Sequence, residues 1–130
     1  MKTVLRLLNR EHERLDKLFF KFRELMETDR TGARNAFRDF DSGLREHIQF
    51  EERTLFPVYE NQFGLNGEGP TDVMRLEHRI IQQLLAELDR KLGSAADGGA
   101  EQIVLLELLR NHNNREESAI YLKLDELSRS

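Results

Sequence analysis

The hydrophobic positions of this chain fall into four long stripes separated by three groups of helix-breaking residues. Within each stripe apolar residues recur at spacings of three and four, the pattern of one buried face on a 3.6-residue helix. Breaks are predicted where glycine, proline and asparagine occur: at Thr31-Gly32, at residues 63–70 and at residues 93–99. The pattern therefore predicts four helices, at about 3–28, about 33–62, about 71–92 and about 99–127.

All four histidines of the chain lie within these apolar stripes. In the first and third helices a histidine occupies the same slot of an otherwise apolar stripe. In the second and fourth helices a histidine is followed four residues later by a glutamate, and residues i and i+4 share one helix face. The polar residues that interrupt the predicted core are His12, His47, Glu51, His78, His112 and Glu116.

The two halves of the chain repeat one pattern. Residues 11–15 align with residues 77–81, and residues 50–53 align with residues 115–118. The matching histidines are separated by 66 residues in the first case (12 to 78) and by 65 in the second (47 to 112). A repeat of this length indicates a duplicated supersecondary unit, here a helical hairpin.

Counting from the predicted turns places the four histidines near one height, because short loops favour antiparallel neighbours. The next layer on one side would hold Leu8, Glu51, Met74 and Glu116, and the layer on the other side Leu15, Leu44, Ile81 and Leu109. Buried carboxylates without partners are costly, and two metal ions bridged by both would satisfy them. A metal-free cluster would need an extensive polar network instead. Glutamates and histidines on facing helices suit di-iron or di-manganese.

Two positions in the second helix suggest local departures from regular geometry. Pro57 removes a backbone hydrogen bond, so a kink or an early end is predicted near residues 53–57. Gly43 lies one turn before His47, where it either permits close helix approach or is simply tolerated.

Composition narrows the class of protein. The chain has 130 residues, of which 38% are hydrophobic and 34% charged, with a net charge of −4 and no cysteine. The length predicts a single domain over residues 1–130 with halves of about 3–62 and about 71–127. The chain has no basic block, so we expect no nucleic-acid partner. The lack of cysteine excludes thiolate metal sites. No signal-like or membrane-spanning stretch is present, so we expect a cytoplasmic protein without a membrane partner.

With these motifs the chain resembles the hemerythrin-like, or HHE cation-binding, family. The short family signature H…HxxxE…H…HxxxE is matched by the six polar residues above, and Leu55-Phe56-Pro57 after the first HxxxE is also similar to the family. The resemblance implies an all-α, up-down-up-down antiparallel four-helix bundle around two iron ions. It further implies that His12 and His47 bind one iron and His78 and His112 the other. Glu51 and Glu116 would bridge the irons together with an oxo or hydroxo group.

The chain departs from the oxygen-carrying members of that family at position 74. Those carriers have a further histidine four residues before the one matching His78, whereas this chain has Met74. Two histidines per iron leave open coordination positions, which favour binding or activation of a small molecule. Met74 could be a weak sulfur ligand, although packing is the favoured role. Leu8 and Met74 are expected to line the ligand pocket.

The carriers also place their last carboxylate five residues after its histidine, so Glu117 is an alternative to Glu116. We favour Glu116 because position i+5 is rotated by roughly 140° around a 3.6-residue helix. Glu52 and Glu117 are then expected to be solvated or to lie just outside the ligands.

Tyr59 and Tyr121 follow the glutamates by one to two turns. For both, packing with a satisfied hydroxyl is favoured over a redox or hydrogen-bonding role at the centre.

The sequence therefore predicts a di-iron protein that binds or reacts with dioxygen, peroxide or nitric oxide, with a catalase-like reaction as one version. Whether it is an enzyme stays open; if it is, it would be a peroxide- or dioxygen-reactive oxidoreductase. The alternative is an iron-sensing or iron-handling module whose metal occupancy controls stability or the binding of an unknown partner. The iron-centre repair proteins of the wider family carry a cysteine-containing region, and this sequence has no cysteine.

Overall fold

The computed structural model describes residues 3–64 and 69–129, and nearly all of them are helical. In chain order the elements are α1 (Thr3–Leu25), α2 (Arg30–Phe50), a first π-helical segment (Glu51–Leu55), α3 (Phe56–Phe63), α4 (Pro70–Gly93), α5 (Gly99–Glu116), a second π-helical segment (Glu117–Tyr121) and α6 (Leu122–Arg129). No strand occurs in these two ranges. The predicted all-α class is confirmed.

The helices pair as two hairpins. Helix α1 packs along α2, and α4 packs along α5. The hairpins meet where α1 contacts α6 and where α2 contacts α4. Since α2 continues through its π-helical segment into α3, and α5 likewise into α6, the chain forms the predicted four-helix bundle. Among the described residues, no helix is both long and apolar enough to cross a membrane.

The first break lies earlier than we predicted. Helix α1 ends at Leu25, whereas the sequence suggested an end near residue 28 and a break at Thr31-Gly32. The side chain of Asp29 accepts a hydrogen bond from the backbone N–H of Gly32 at 3.0 Å and so caps the start of α2. The break at Thr31-Gly32 was therefore wrong, because a capping aspartate places both residues inside the first turn of α2. The other predicted boundaries agree within a few residues.

Each HxxxE motif is followed by a π-helical segment. In the first, the N–H of Phe56 bonds to the carbonyl of Glu51, and Pro57 follows at the start of α3. A kink or an early end was predicted near residues 53–57. Helix α2 does end early, at Phe50, but the chain stays helical through the π-helical segment into α3. In the second, the N–H of Leu122 bonds to the carbonyl of Glu117. No proline lies in or after this second segment, and it was not predicted from the sequence.

The buried core divides into two apolar clusters. The larger one contains Phe19 and Phe22 of α1 and Phe37 and Phe40 of α2, together with residues that include Leu15, Leu44, Ile81 and Leu109. The smaller one contains Leu8, Leu55, Phe56, Tyr59, Met74, Ile120, Tyr121 and Leu124. The aliphatic layer predicted on one side of the histidines thus belongs to the larger cluster, and the predicted neighbours Leu8 and Met74 belong to the smaller. The polar layer lies between the two.

Candidate metal centre

All of the predicted polar residues are buried at the level between the two clusters. Their exposed fractions are 5% for His12, 6% for His47, 0% for Glu51, 0% for His78, 3% for His112 and 0% for Glu116. The ring centroids are 4.9 Å apart in the pair His12–His47 and 4.8 Å apart in the pair His78–His112. The side chains that interrupt the apolar stripes in sequence are therefore neighbours in space.

The donor atoms form two groups that share both glutamates. One group consists of His12, His47, Glu51 and Glu116, and the other of Glu51, His78, His112 and Glu116. Within each group the residues offer one donor atom apiece, and these atoms lie within 4.8 Å of one another. Nitrogen and carboxylate oxygen donors in this number suit first-row metals such as iron, manganese and zinc.

Each shared carboxylate faces both histidine pairs. In Glu51, Oε2 lies 3.2 Å from Nε2 of His47 and Oε1 lies 3.2 Å from Nε2 of His78. In Glu116, Oε1 lies 3.2 Å from Nε2 of His12 and Oε2 lies 3.3 Å from Nε2 of His112. Every histidine thus presents Nε2 to a carboxylate oxygen at the centre.

Three of the histidines have a second carboxylate at Nδ1. These pairs are His12 with Glu117 at 2.8 Å, His78 with Glu52 at 2.7 Å, and His112 with Glu77 at 2.9 Å. An Nδ1–H that donates to a carboxylate fixes the ring and leaves the Nε2 lone pair facing the centre, as metal-bound histidines require. Glu52 and Glu117 lie just outside the predicted ligands, as expected. Glu77 was missed, although its place directly before His78 was visible in the sequence.

Tyr121 enters the centre from the second π-helical segment. Its hydroxyl oxygen lies 3.1 Å from Nε2 of His12, 3.2 Å from Nε2 of His47 and 2.6 Å from Oε1 of Glu116, and it also donates to Oε2 of Glu51. The sequence analysis expected packing with a satisfied hydroxyl and did not predict these contacts. Tyr59 does pack away from the donors, with its ring 4.7 Å from that of Phe63.

The carboxylates control the protonation of the histidines. Burial opposes a charge on His12, but Glu116 and Glu117 outweigh it and raise the pKa of His12 to about 9. In the same way Glu116 and Glu51 overcome burial and raise the pKa of His78 to about 10. Burial alone would raise the pKa of Glu116, yet His112, His12 and His78 hold it well below its usual value. Without metal, the centre therefore balances its buried carboxylates with protons on imidazole rings.

Two carboxylate oxygens of the centre nevertheless have no well-formed hydrogen bond among the described residues, although imidazole nitrogens lie near them. They are Oε1 of Glu51 and Oε2 of Glu116, and both are buried at the centre. Buried polar atoms normally have partners, and an unpartnered carboxylate oxygen is costly. Because these are the oxygens that face His78 and His112, cations placed between the carboxylates and the imidazoles would satisfy them. The residues present therefore fit a pair of metal ions.

Comparison with known proteins agrees with this geometry. The family model described as Hemerythrin HHE cation binding domain matches residues 3–124. The chain belongs to this family. An iron-sulfur cluster repair protein, YtfE of Edwardsiella ictaluri (strain 93-146), is 39% identical over 66 residues, which are 48% of this chain and 30% of that protein. The match therefore spans less than a third of that relative's length. No solved structure matches the chain.

In this HHE domain, the methionine at position 74 is buried among apolar side chains. Met74 is 1% exposed and belongs to the smaller apolar cluster together with Leu8 and Phe56. The ring of Phe56 stacks on that of His78, with centroids 5.6 Å apart and planes inclined by 12°. Met74 thus packs in the smaller apolar cluster, which is the role that the sequence favoured.

Proposed function

We propose that the chain is a non-haem di-iron protein that binds or reacts with a small oxidant: dioxygen, peroxide or nitric oxide. The observation that carries the proposal is the pair of donor groups sharing both glutamates. In this proposal one iron is held by His12 and His47, the other by His78 and His112, and both by Glu51 and Glu116. Membership of a cation-binding family supports metal at this site.

Bound iron would supply electrons and open coordination positions for a small ligand. The chain itself supplies a dry environment, because apolar clusters flank the polar layer on both sides. Glu52, Glu77 and Glu117 hold three of the imidazole rings in one orientation through their Nδ1 atoms. Such outer carboxylates raise the basicity of histidine ligands and fix their tautomer.

A pocket beside His47 supports a small, uncharged ligand. It has a volume of about 460 Å³, and its walls include Leu8, His47, Phe50 and Leu55. Most of its walls are apolar and its two acidic side chains, Glu11 and Glu46, would repel an anion, so the pocket favours dioxygen or nitric oxide over a negatively charged substrate. Through His47 the pocket reaches one of the proposed metal ligands.

A second candidate is an iron-handling or iron-sensing module, and the partial likeness to an iron-sulfur cluster repair protein favours it. The unpartnered oxygens of Glu51 and Glu116 also favour it, since metal occupancy would then change the stability of the bundle. This candidate differs from the first in its chemistry, because the bound iron would be transferred or sensed rather than used on an oxidant.

Metal analysis combined with absorption spectroscopy separates the two candidates. We expect two iron ions per chain and an absorption spectrum that changes with at least one of peroxide, dioxygen and nitric oxide. The variant carrying both His47→Ala and Glu51→Leu should lose the iron and the spectral change. Glu87→Gln, on the exposed surface of α4, should keep both and serves as the matched control. Two bound irons that respond to none of the three ligands would favour the iron-handling candidate.

A further inference from the structure

The two histidine pairs have unequal surroundings, although the repeat provides both with the same donor types. In the pair His78–His112, both Nδ1 atoms have a carboxylate, from Glu52 and Glu77. In the pair His12–His47, Glu117 bonds to Nδ1 of His12, whereas Nδ1 of His47 has no carboxylate partner among the described residues and its Nε2 contacts the Tyr121 hydroxyl. The repeat would assign Glu11 to His47, because Glu11 precedes His12 as Glu77 precedes His78.

Arg14 explains why Glu11 does not take that role. Its Nε and Nη2 atoms donate to the carboxylate of Glu11 at 3.2 and 2.7 Å, along the same helix. The position of Arg14 in the repeat is taken by Ile80 in the second half. There, an arginine comes instead from the facing helix: Arg115 binds Oε2 of Glu77 while Oε1 accepts from His112. Arg14 thus keeps the carboxylate of Glu11 away from His47, whereas Arg115 holds the carboxylate of Glu77 at His112.

Gly43 makes room for this arrangement. A Cβ atom at Gly43 would lie 3.1 Å from Nη2 of Arg14 and 3.0 Å from Cδ2 of Leu15. Both distances are shorter than ordinary van der Waals contact, so the bare backbone at Gly43 lets Arg14 and Leu15 approach α2. Of the two interpretations given to Gly43 from the sequence, close approach is the one that the structure supports.

The hydroxyl of Tyr121 is a second difference between the surroundings of the two histidine pairs. It contacts Nε2 of His12 and of His47 and one oxygen of each shared glutamate, so it lies among the donor atoms of the first group. The residue that corresponds to Tyr121 in the repeat is Phe56, which has no hydroxyl and stacks on His78. In the second group the Nε2 atoms of His78 and His112 instead face each other at 3.1 Å.

We propose that the two metal positions fill in order, the His78–His112 position first and the His12–His47 position second. The proposal rests on the metal centre proposed above. A metal ion between His12 and His47 has to displace the Tyr121 hydroxyl from its contacts. It also uses His47, whose Nδ1 has no carboxylate partner among the described residues. Loss of one such outer partner lowers metal affinity by about 10–100-fold, so we expect the second step to be weaker than the first by about this factor.

Titration of the metal-free protein with Mn²⁺ tests the order directly. At one equivalent, electron paramagnetic resonance should show the spectrum of isolated Mn²⁺, and at two equivalents the spectrum of an exchange-coupled pair should replace it. Coupled pairs in the statistical proportion at one equivalent would mean that the two positions are equal, and would overturn the proposal.

Substitutions assign each step to a position. Anaerobic Fe²⁺ calorimetry should show that Glu77→Gln weakens the first step about 10–100-fold, whereas Glu87→Gln on the same helix changes neither step. Tyr121→Phe should tighten the second step and leave the first unchanged. If Glu77→Gln does not fold by circular dichroism, Glu52→Gln probes the same position through His78.

Failure of the proposed metal centre and failure of the proposed filling order would give different results. A chain that binds neither Fe²⁺ nor Mn²⁺ would refute the proposed metal centre itself. Two ions bound with a single affinity would leave the centre intact and refute the order. The order would also be refuted if Glu77→Gln weakened only the second step, or if Tyr121→Phe weakened that step.

Discussion

The hydroxyl of Tyr121 lies 2.6 Å from Oε1 of Glu116, five residues earlier in the same long helix. In a regular α-helix, position i+5 is rotated by roughly 140° from position i, which would direct the two side chains apart. The π-helical segment Glu117–Tyr121 adds a residue to the turn and returns Tyr121 to the face of Glu116. A local change of helix type thus places a tyrosine hydroxyl among the histidines and glutamates of the polar layer.

Replacing Tyr121 with phenylalanine should destabilise the metal-free protein. The hydroxyl is buried and contacts both glutamates and two histidines, so its removal takes a hydrogen-bond donor away from buried carboxylates. We expect a loss of about 1–3 kcal/mol in the free energy of unfolding, measured by urea denaturation with a chelator present. Tyr59→Phe is the matched control, because Tyr59 packs in the same apolar cluster and against Phe63. Equal losses in the two variants would contradict the proposed role of the Tyr121 hydroxyl.

The periodicity of the sequence was sufficient to predict four helices and to place the six polar side chains at neighbouring levels. Stripes at spacings of three and four located the helices, and the burial of His47 and Glu51 follows from their shared face. The break near Thr31 was misplaced because the capping role of Asp29 outweighs the helix-breaking tendency of a glycine in the first turn. That these buried residues are metal ligands stays a prediction.

The contacts around the centre were harder to predict, for two physical reasons. Tyr121 was missed because counting at 3.6 residues per turn assumes uniform helix geometry, which the second π-helical segment breaks. The unequal roles of Glu11 and Glu77 depend on whether an arginine lies on the same helix, as Arg14 does, or on the facing one, as Arg115 does. That distinction needs the direction of long side chains, which spacing alone does not provide.

Substitution of a shared glutamate should affect both metal positions at once. In Glu51→Gln the side chain keeps its shape but loses the charge that faces His47 and His78. We expect metal analysis after dialysis to give fewer than two ions per chain, with neither binding step retaining its original affinity. Circular dichroism should remain helical. A variant that lost one ion and kept the other at full affinity would show that Glu51 serves one position alone.

Metal uptake at neutral pH should release protons. The pKa values of about 9 for His12 and about 10 for His78 mean that both rings are protonated at pH 7 in the metal-free protein, whereas ligation requires the neutral ring. Apparent metal affinity should therefore rise between pH 6 and pH 8. Calorimetry in two buffers with different heats of ionisation measures the protons released. An identical heat in both buffers would contradict this prediction.

The same pKa values set the pH dependence of the metal-free fold. Both histidines have a folded pKa above the ordinary value of 6.5, so their contribution to stability is complete below that value. It is lost as the pH rises through about 9 for His12 and about 10 for His78. Thermal unfolding in the presence of a chelator should therefore show a falling midpoint between pH 7 and pH 10. A midpoint that rises over this range would show that the two rings are neutral in the folded protein.

Releasing Glu11 from Arg14 should make the two halves of the centre more alike. In Arg14→Gln the carboxylate of Glu11 loses its partner on α1 and becomes available to His47, with which it shares the walls of one pocket. We expect the second Fe²⁺-binding step to tighten toward the first, while the free energy of unfolding changes by less than about 1 kcal/mol, because the pair is exposed. Arg90→Gln removes an arginine with the same i,i+3 pairing, to Glu87 on α4, and should leave both steps unchanged. If Arg14→Gln also left the second step unchanged, the weakness of that position would be due to Tyr121 alone, since the hydroxyl would still occupy the space among its donors.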